Sequence, residues 1–523
     1  MNSVEFINQY RNLADLIESN LTKYAESPAF SCLGHTVTYR EVDNASRAFA
    51  CYLQHKLKLN AGDRIAIQLP NLIQYPIAMY GALRAGLVIV NTNPLYTSRE
   101  MLHQFNDSGA KAIVILDDLL DKYSDIQGDL AINHVIVTGI SDLLTDERPG
   151  YQCDSFVSFN QALSEGASFE LSPSKASLED VCVLQYTGGT TGVSKGAALT
   201  HYSIGCNLYQ TLQPLAPLFR EQREILACPL PLYHIYAFSL AMLMQPSKGN
   251  LVVLIPNARD LQAVISQLSA FRITVFAGLN TLFVGLGRHP DFRRLDFSQM
   301  MYSLSAGTAL TEAANSLWRE VTGSIICEGY GLSETSPVLT VNDPSGAEFG
   351  TVGRPVQDTE IQFWDSNDQP VAEGERGQIV ARGPQNMHGY WNMPEETAKV
   401  MKNGFFKTGD IGVCLPDGRI KIVDRLKDMI IVSGFNVFPN EIESVLTQHP
   451  VILEAAVIGE PDSKTGERVS AYITVSDFVD PLDVTEFCRK YLTAYKVPKQ
   501  VSIVESLPKS SVGKILRREL RAT

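Results

Sequence analysis

Residues 184–201 read LQYTGGTTGVSKGAALTH, with three glycines and three threonines crowded between residues 187 and 192. The preceding segment, VCVLQY, is typical of a buried strand, and the following one, THYSIGCNLYQ, is typical of a helix. A turn of this composition presents many backbone N–H and hydroxyl donors, and such donors bind phosphate. The stretch predicts a phosphate-binding loop, but a glycine-rich surface turn without a ligand explains the loop alone equally well.

The loop is not a P-loop. That motif, G-x-x-x-x-G-K-[ST], needs a glycine directly before its lysine and a hydroxyl residue directly after it. Here Ser194 precedes Lys195 and Gly196 follows it. The hydroxyl that would hold magnesium is missing, so we expect another kind of nucleotide site.

Composition narrows the class of protein. A chain of 523 residues exceeds what one hydrophobic core usually supports, so we expect two or more domains. The 44 basic against 57 acidic residues give a net charge of −13, which argues against a nucleic-acid partner. The nine cysteines form no C-x-x-C pair, so we expect reduced thiols, no zinc site and a cytoplasmic location without an export signal.

The hydrophobic pattern predicts an α/β fold with largely parallel sheets. Short apolar runs alternate with amphipathic helical segments: DRIAIQL, KAIVIL, NHVIVTG, NLVVLIP and RITVFAG. From about residue 345, the segments GTVGRPV, TEIQFWD and GQIVARG favour a small antiparallel sheet or barrel. We predict a large domain over residues 1–424, a hinge at 425–427 and a small α+β domain over 428–523.

Four further stretches carry residues suited to nucleotide chemistry. CEGYGLSETSP places Tyr330 near Ser333 and Glu334, and FFKTGD, VDRLKD and LPKSSVGKILRREL follow later in the chain. A tyrosine can stack on a base, an aspartate can accept ribose hydroxyls, an arginine can clamp phosphate and a glutamate can hold magnesium. Each residue alone has a simpler explanation in packing, capping or a solvated hinge.

Taken together and in this order, these motifs resemble those of the adenylate-forming superfamily, which contains acyl-CoA synthetases, luciferases and nonribosomal adenylation domains. The resemblance spans residues 10–520. The segments YTGGTTGVSKGAALTH, LPLYHIYA, SLSAGTAL and DRLKDMIIVSGFNVFPNEIE are most similar to those of bacterial long-chain fatty-acid CoA ligases.

The resemblance implies a fold and a reaction. The fold would be a large N-terminal domain of stacked αβαβα sheets plus a small β-barrel, followed by a mobile α+β domain. In the reaction, a fatty acid and ATP would form acyl-AMP and pyrophosphate, with Mg²⁺ as cofactor. The acyl group would then be transferred to CoA with release of AMP.

The resemblance also assigns roles to residues. Catalytic roles fall to Lys514, Glu334 and His234, and the metal site to Thr187 and Glu334. ATP binding falls to Thr187, Gly188, Gly189, Thr190, Thr191, Gly192, Lys195, Gly307, Thr308, Glu328, Gly329, Tyr330, Ser333, Asp410 and Arg425. Lys427 would be the hinge residue, Ser433, Gly434 and Phe435 would line the CoA tunnel, and Phe238 and Gly278 would line the acyl tunnel; for Phe238, simple burial in an apolar wall explains the residue as well.

Several alternatives stay open. The acid could be medium-chain or aromatic, and a fatty acyl-AMP ligase would deliver the adenylate to a carrier protein. A nonribosomal adenylation domain and a catalytically silent acyl-binding protein also fit parts of the pattern. A homodimer and a peripheral contact with the inner face of the membrane are further options that the sequence does not decide.

Overall fold

The computed structural model describes residues 1–144, 156–187, 194–217, 219–510 and 513–521. Its strands are, in chain order, β1 Pro28–Cys32, β2 His35–Thr38, β3 Arg64–Gln68, β4 Val88–Asn91, β5 Ala112–Leu116, β6 His134–Thr138, β7 Val157–Ser158, β8 Val181–Thr187, β9 Lys195–Thr200, β10 Ile225–Cys228, β11 Leu251–Leu254, β12 Val275–Gly278, β13 Tyr302–Ser305, β14 Ile326–Gly331, β15 Val338–Val341, β16 Arg354–Pro355, β17 Glu360–Trp364, β18 Gly377–Arg382, β19 Gly389–Tyr390, β20 Met401–Lys402, β21 Phe405–Cys414, β22 Ile420–Arg425, β23 Ile430–Val432, β24 Phe435–Val437, β25 Ile452–Asp462, β26 Gly466–Val475 and β27 Gln500–Ile503.

The helices are α1 Ser3–Ile7, α2 Leu13–Lys23, α3 Tyr39–Cys51, α4 Gln74–Arg84, α5 Ser98–Ser108, α6 Leu120–Ser124, α7 Phe159–Gly166, α8 His201–Leu215, α9 Ile235–Ser239, α10 Leu261–Leu268, α11 Asn280–Arg288, α12 Glu312–Thr322, α13 Pro394–Val400, α14 Pro439–Leu446, α15 Pro481–Arg489 and α16 Arg517–Leu520. Every residue of α4 is buried, as expected for a helix that lies between layers. No helix in the described part of the chain is long and apolar enough to cross a membrane.

Two large sheets dominate the described structure. One has eight strands in the order β19-β9-β8-β4-β3-β5-β6-β7, and the other has nine in the order β16-β15-β14-β13-β12-β10-β11-β1-β2. Their central strands run parallel, which confirms the predicted α/β pattern. One large apolar core joins both sheets, and a second apolar core packs α10, α11 and α12 against the nine-stranded sheet.

A five-stranded antiparallel sheet of β17, β18, β20, β21 and β22 follows, and it contains two of the three segments predicted for it. The third prediction, GTVGRPV, was wrong, because β16 pairs with β15 in the nine-stranded sheet. The residues just before β16 bond to the small sheet instead: Val352 donates to Ile420, and Ile420 donates to Gly353. This segment therefore ties the two sheets together.

The last sheet, β23 to β27, has its own apolar core with α14 and α15. Strand β22 ends at Arg425, a 3₁₀ turn covers Leu426–Asp428, and β23 begins at Ile430. The chain thus passes from one sheet to the other at the segment where the sequence predicts a hinge.

Candidate active site

The opening motif lies in a hairpin. Strand β9 follows the loop and runs antiparallel to β8, with Thr187 opposite Lys195, and α8 begins only at His201. The helix predicted for THYSIGCNLYQ is confirmed, but strand β9 between the loop and this helix was not predicted, because Thr200 is the only β-branched residue in KGAALT. Its small side chains fit here since β9 is paired on both sides, and a Cβ on Gly196 would lie 3.0 Å from the ring of Tyr186. Gly188, Gly189, Thr190, Thr191 and Gly192 lie outside the described residues.

The carboxyl ends of three parallel strands form one wall of the site. The register places Gly278 of β12 beside Ser305 of β13, and Ser305 beside Glu328 of β14. In open α/β sheets, ligands bind just beyond the carboxyl ends of the parallel strands. The predicted adenine residues Gly307 and Thr308 come shortly after β13. They lie near Glu328, which is distant in sequence, because β13 and β14 are neighbouring strands.

Two polar groups on this wall fit a bound nucleotide. Glu328 is 8% exposed, and burial raises the pKa of its carboxyl to about 7, although Gly350 N–H donates to Oε1 at 3.2 Å. Within the described residues, the buried Oγ1 of Thr308 has no hydrogen-bond partner. Gly307 has φ +82°, and a Cβ there would meet no atom within 4 Å, so the space beside it is open.

Tyr330, Asp410 and Arg425 form one hydrogen-bonded group. The hydroxyl of Tyr330 donates to Oδ2 of Asp410 at 2.8 Å, and Nε of Arg425 lies 3.0 Å from Oδ1. Asp410 and Arg425 face each other in the β21–β22 ladder, and Asp410 is 4% exposed. A carboxylate held from both sides has a fixed orientation, which suits a group that must accept hydrogen bonds from a ligand.

Glu334 is oriented by a residue that our sequence reasoning did not select, Tyr390. The hydroxyl of Tyr390 donates to Oε1 of Glu334 at 2.8 Å, and burial raises the pKa of Glu334. Tyr390 belongs to β19, which pairs with β9, so the sheet register places it opposite Ala197. Ser333, one residue earlier in the same 3₁₀ turn, is partly exposed.

Lys195 and Thr187 mark the two ends of the loop. Lys195 forms an ion pair with Glu396 of α13, and its Nζ lies 5.2 Å from the ring centre of Tyr390. Thr187 Oγ1 lies 3.5 Å from the carbonyl oxygen of Lys195. The pairing of Lys195 with Glu396 was not foreseen, because two hundred residues separate them and neither motif points to the other.

Lys514, from the last segment of the chain, lies near Asp410 and Arg425, and we call the region between Glu334, Asp410 and Lys514 the cleft. Desolvation lowers the pKa of its ammonium to about 8; the charge of Arg425 adds to the shift and that of Asp410 opposes it. A Cβ on the neighbouring Gly513 would lie 3.1 Å from Oγ1 of Thr281 in α11. The segment carrying Lys514 therefore packs on the large domain, beside the tyrosine–aspartate–arginine group.

His234 and Phe238 lie together at α9, where the N–H of Phe238 donates to the carbonyl oxygen of His234. His234 precedes α9, and desolvation lowers the pKa of its imidazole to about 4, with the charge of Lys514 acting in the same direction. Phe238 is fully buried. A Cβ on Gly278 would lie 2.9 Å from ring carbons of Phe276 and Phe283, so this position has room only for hydrogen.

The predicted hinge and CoA residues lie in the turn before β23 and in the β23–β24 hairpin. Lys427 is exposed within the 3₁₀ turn between the sheets. Ser433 and Gly434 have positive φ values of 51° and 84° and form the exposed tip of the β23–β24 hairpin, where Phe435 stacks on Tyr495 at 4.9 Å. The N–H of Ser433 donates to the carbonyl oxygen of Thr465, so these contacts of the hairpin lie within the small domain that carries it.

Comparisons with known proteins support the fold. The family model for AMP-binding enzymes matches residues 17–391, and the model for the AMP-binding enzyme C-terminal domain matches residues 441–514. A long-chain-fatty-acid–CoA ligase of Salmonella typhimurium is 43% identical, over 98% of this chain and 94% of its own. A 4-coumarate–CoA ligase of Oryza sativa is 33% identical, over 97% and 92%.

Solved structures agree as well. An anthranilate CoA ligase in complex with anthranoyl-AMP superposes with a TM-score of 0.90 at 28% identity, covering 98% of this chain and 97% of its own. ATP-bound MatB from Rhodopseudomonas palustris superposes with a TM-score of 0.86 at 27% identity, covering 98% of both chains.

Fold and cleft together define a two-domain, nucleotide-using enzyme that joins an acid to a thiol with formation of AMP. More particularly, the chain belongs to the family of AMP-binding enzymes, which confirms the resemblance identified from its motifs.

Proposed function

We propose that the protein is a long-chain fatty acid–CoA ligase. The fatty acid carboxylate oxygen bonds to the α-phosphorus of ATP and pyrophosphate leaves; the CoA sulfur then bonds to the acyl carbon and AMP leaves. The observation that carries the proposal is the convergence of Lys514, Asp410 and Glu334 on one cleft. The choice of acid follows relatives of 39–43% identity that bear this name.

The nucleotide would be held by residues fixed before it arrives. Asp410 would accept the ribose hydroxyls, since Tyr330 and Arg425 already hold its carboxylate in place. The open space beside Gly307 and the unpaired hydroxyl of Thr308 would accommodate adenine. Ser333 would meet the α-phosphate and the loop over residues 187–195 the outer phosphates. Fixed donors and acceptors lower the barrier because they need little reorganisation during the reaction.

The residues present fit a magnesium ion shared with ATP. Within the described residues there is no group of three acidic, histidine or cysteine ligands, so a fully protein-bound metal is not indicated there. Mg²⁺ in nucleotide enzymes is typically held by one or two carboxylates plus substrate phosphates. Glu334, oriented by Tyr390, would supply the carboxylate and Thr187 a hydroxyl. When bound, the ion supplies charge neutralisation on the phosphate oxygens.

Lys514 would stabilise the negative charge shared by the carboxylate and α-phosphate. With a pKa of about 8 it is mostly an ammonium at pH 7, and it lies beside Arg425 and Asp410. Phosphoryl and nucleotidyl transfer depend mainly on positioning and charge stabilisation, so one mobile cation in the right place can have a large effect. His234 is neutral at pH 7 and would close the thiol side of the cleft.

The CoA step would need a second arrangement of the domains. We infer a large domain over residues 1–424, a hinge at 425–427 and a small domain over 428–523, with rotation about Lys427. Such a rotation would withdraw Lys514 and bring Ser433, Gly434 and Phe435 to a pantetheine tunnel. The exposed hairpin tip supports this, since the strand that pairs with the hairpin, β26, belongs to the same small domain and would move with it.

An aromatic acid is the second candidate substrate. A 4-coumarate–CoA ligase and an anthranilate CoA ligase are among the similar proteins. In the long-chain case, Phe238 and Gly278 would line the tunnel, and each buried methylene would contribute about 0.8 kcal/mol to binding. Because binding should strengthen with each methylene, the dependence of activity on chain length best separates a long-chain acid from an aromatic acid as the substrate.

The deciding experiment is CoA-dependent AMP release across acids from acetate to oleate, with 4-coumarate as the aromatic arm. We expect kcat/KM to rise with chain length toward oleate. Pyrophosphate exchange without any thioester product would instead indicate a fatty acyl-AMP ligase, and no AMP release with any acid would indicate a silent acyl-binding protein. Lys514→Ala should abolish adenylation yet leave CoA transfer from preformed acyl-adenylate largely intact.

A membrane contact and a homodimer remain separate proposals. Long-chain acids partition into bilayers, so a peripheral contact would shorten the path from the substrate to the cleft. Co-sedimentation with vesicles that contain oleate tests the first proposal, and the mass in solution tests the second.

A further inference from the structure

Arg517 is the centre of an ion-pair network in the segment that carries Lys514. Its guanidinium binds Glu443 through two bonds, with Nε 3.0 Å from Oε1 and Nη2 2.7 Å from Oε2. Nη2 also donates to Oδ1 of Asn440 at 2.6 Å, and Nη1 lies 3.3 Å from Oδ2 of Asp428. The side chain is only 14% exposed, so these contacts are largely shielded from water.

One arm of this network crosses the hinge. Asp424 lies in β22 and its side chain is fully buried, with Oδ1 3.6 Å from Nη1 of Arg517. Oδ2 of Asp424 accepts the N–H of Asn440 at 2.8 Å. Asp424 precedes the 3₁₀ turn of residues 426–428, whereas Asp428, Asn440 and Glu443 belong to the turn's end and to α14. Arg517 therefore contacts groups on both sides of the hinge.

We propose that Arg517 is a positioning residue that holds Lys514 in the cleft for adenylation, through its contact with Asp424 across the hinge. The inference rests on the proposed two-step function. A guanidinium bound by both ends of a carboxylate has a fixed direction as well as a strong bond. Because Arg517 follows Lys514 by three residues, fixing the direction of Arg517 limits where the short segment can place the ammonium.

The two arms have different consequences if the small domain rotates about Lys427. The contact with Glu443 lies within the small domain and moves as a unit. The contacts of Asp424 with Arg517 and Asn440 join the large domain to the small one, so they belong to the adenylating arrangement. Loss of the Asp424 contact should therefore slow adenylation, whereas loss of the Glu443 contact should lower the stability of the small domain.

The test uses the full-length protein and two assays with defined probes. Oleate-dependent exchange of pyrophosphate with ATP measures adenylation, and conversion of synthetic oleoyl-adenylate with CoA measures thioester formation. For Asp424→Asn and Arg517→Lys we expect exchange to fall about tenfold or more and thioester formation to change less than about threefold. Arg489→Lys is the matched control, because Arg489 is an exposed arginine of the small domain that pairs with Glu486, and it should leave both rates unchanged.

A melting curve accompanies each variant. We expect Glu443→Gln to lower the melting temperature and reduce both rates together. If Asp424→Asn folds normally and leaves exchange unchanged, or lowers both rates equally, the positioning role is wrong. If the unmodified protein makes no thioester from oleoyl-adenylate, the proposed function fails instead, and the two failures are thus distinguishable. Should Arg517→Lys fail to fold, Asp424→Asn alone decides, since asparagine keeps the shape and one acceptor.

Discussion

The titration of Lys514 gives a sharp test of its role. Burial and the neighbouring Arg425 lower the pKa of this ammonium to about 8 in the free protein. The group is charged below that pH and neutral above it, so a step that needs the ammonium must weaken as the pH rises. From pH 7 to pH 9, the charged fraction falls from about nine-tenths to about one-tenth.

We therefore expect kcat/KM for ATP in the pyrophosphate-exchange assay to fall about tenfold between pH 7 and pH 9, because kcat/KM reports the groups of the free enzyme. The limb for kcat should lie at higher pH, since bound phosphates favour the ammonium. His234 has a pKa of about 4 and stays neutral throughout this range, so it does not contribute to the fall.

Two variants isolate the effect. In Lys514→Arg any remaining activity should show no alkaline limb, because a guanidinium keeps its charge above pH 12. In Lys427→Arg the limb should remain, although partial desolvation and the charge of Arg425 also lower the pKa of Lys427. A wild-type profile that is flat to pH 9, or a limb that survives in Lys514→Arg, would refute the assignment of the catalytic ammonium to Lys514.

Three further changes test other parts of the cleft. Tyr390→Phe removes the donor to Glu334, and we expect it to raise the Mg²⁺ concentration needed for half-maximal exchange about 10–100-fold, read from a metal titration. Asp410→Asn weakens the contacts with Tyr330 and Arg425; we expect a higher KM for ATP and a loss of about 1–3 kcal/mol in the free energy of unfolding, measured in urea, and an unchanged KM would contradict the ribose role. Gly278→Val places atoms against Phe276 and Phe283, so we expect kcat/KM to fall more for oleate than for octanoate, whereas equal losses would place Gly278 outside the acyl path.

The sequence predicted the candidate site residues that stand in short motifs of characteristic composition. Glu334, Asp410 and Lys514 are charged residues in glycine-containing segments, and the structure brings all three to one cleft. The parallel strands could also be predicted, because each is a short apolar run between helical segments. In these cases, local pattern and tertiary placement point in the same direction.

The residues that sequence reasoning missed act through pairings between distant segments. Tyr390 reaches Glu334 because β19 adds to β9, and Arg517 matters because its partners come from both sides of the hinge. Strand β9 itself escaped notice, since KGAALT has little intrinsic preference for a strand and becomes one only between two neighbours. Nothing in the sequence around Tyr390 indicates that its hydroxyl will donate to Glu334.

The charge of the cleft differs from that of the whole chain, and this difference bears on how an anionic nucleotide is bound. The chain carries a net charge of −13, yet Arg425, Lys427 and Arg517 all disfavour a positive charge on Lys514. Screening at physiological ionic strength limits exposed charges to a range of about 8 Å, so the distant acidic surface has little influence inside the cleft. The cations there repel one another until a triphosphate arrives, and its binding would relieve that repulsion. ATP would in this way raise the pKa of Lys514 and keep the lysine charged to a higher pH than in the free protein.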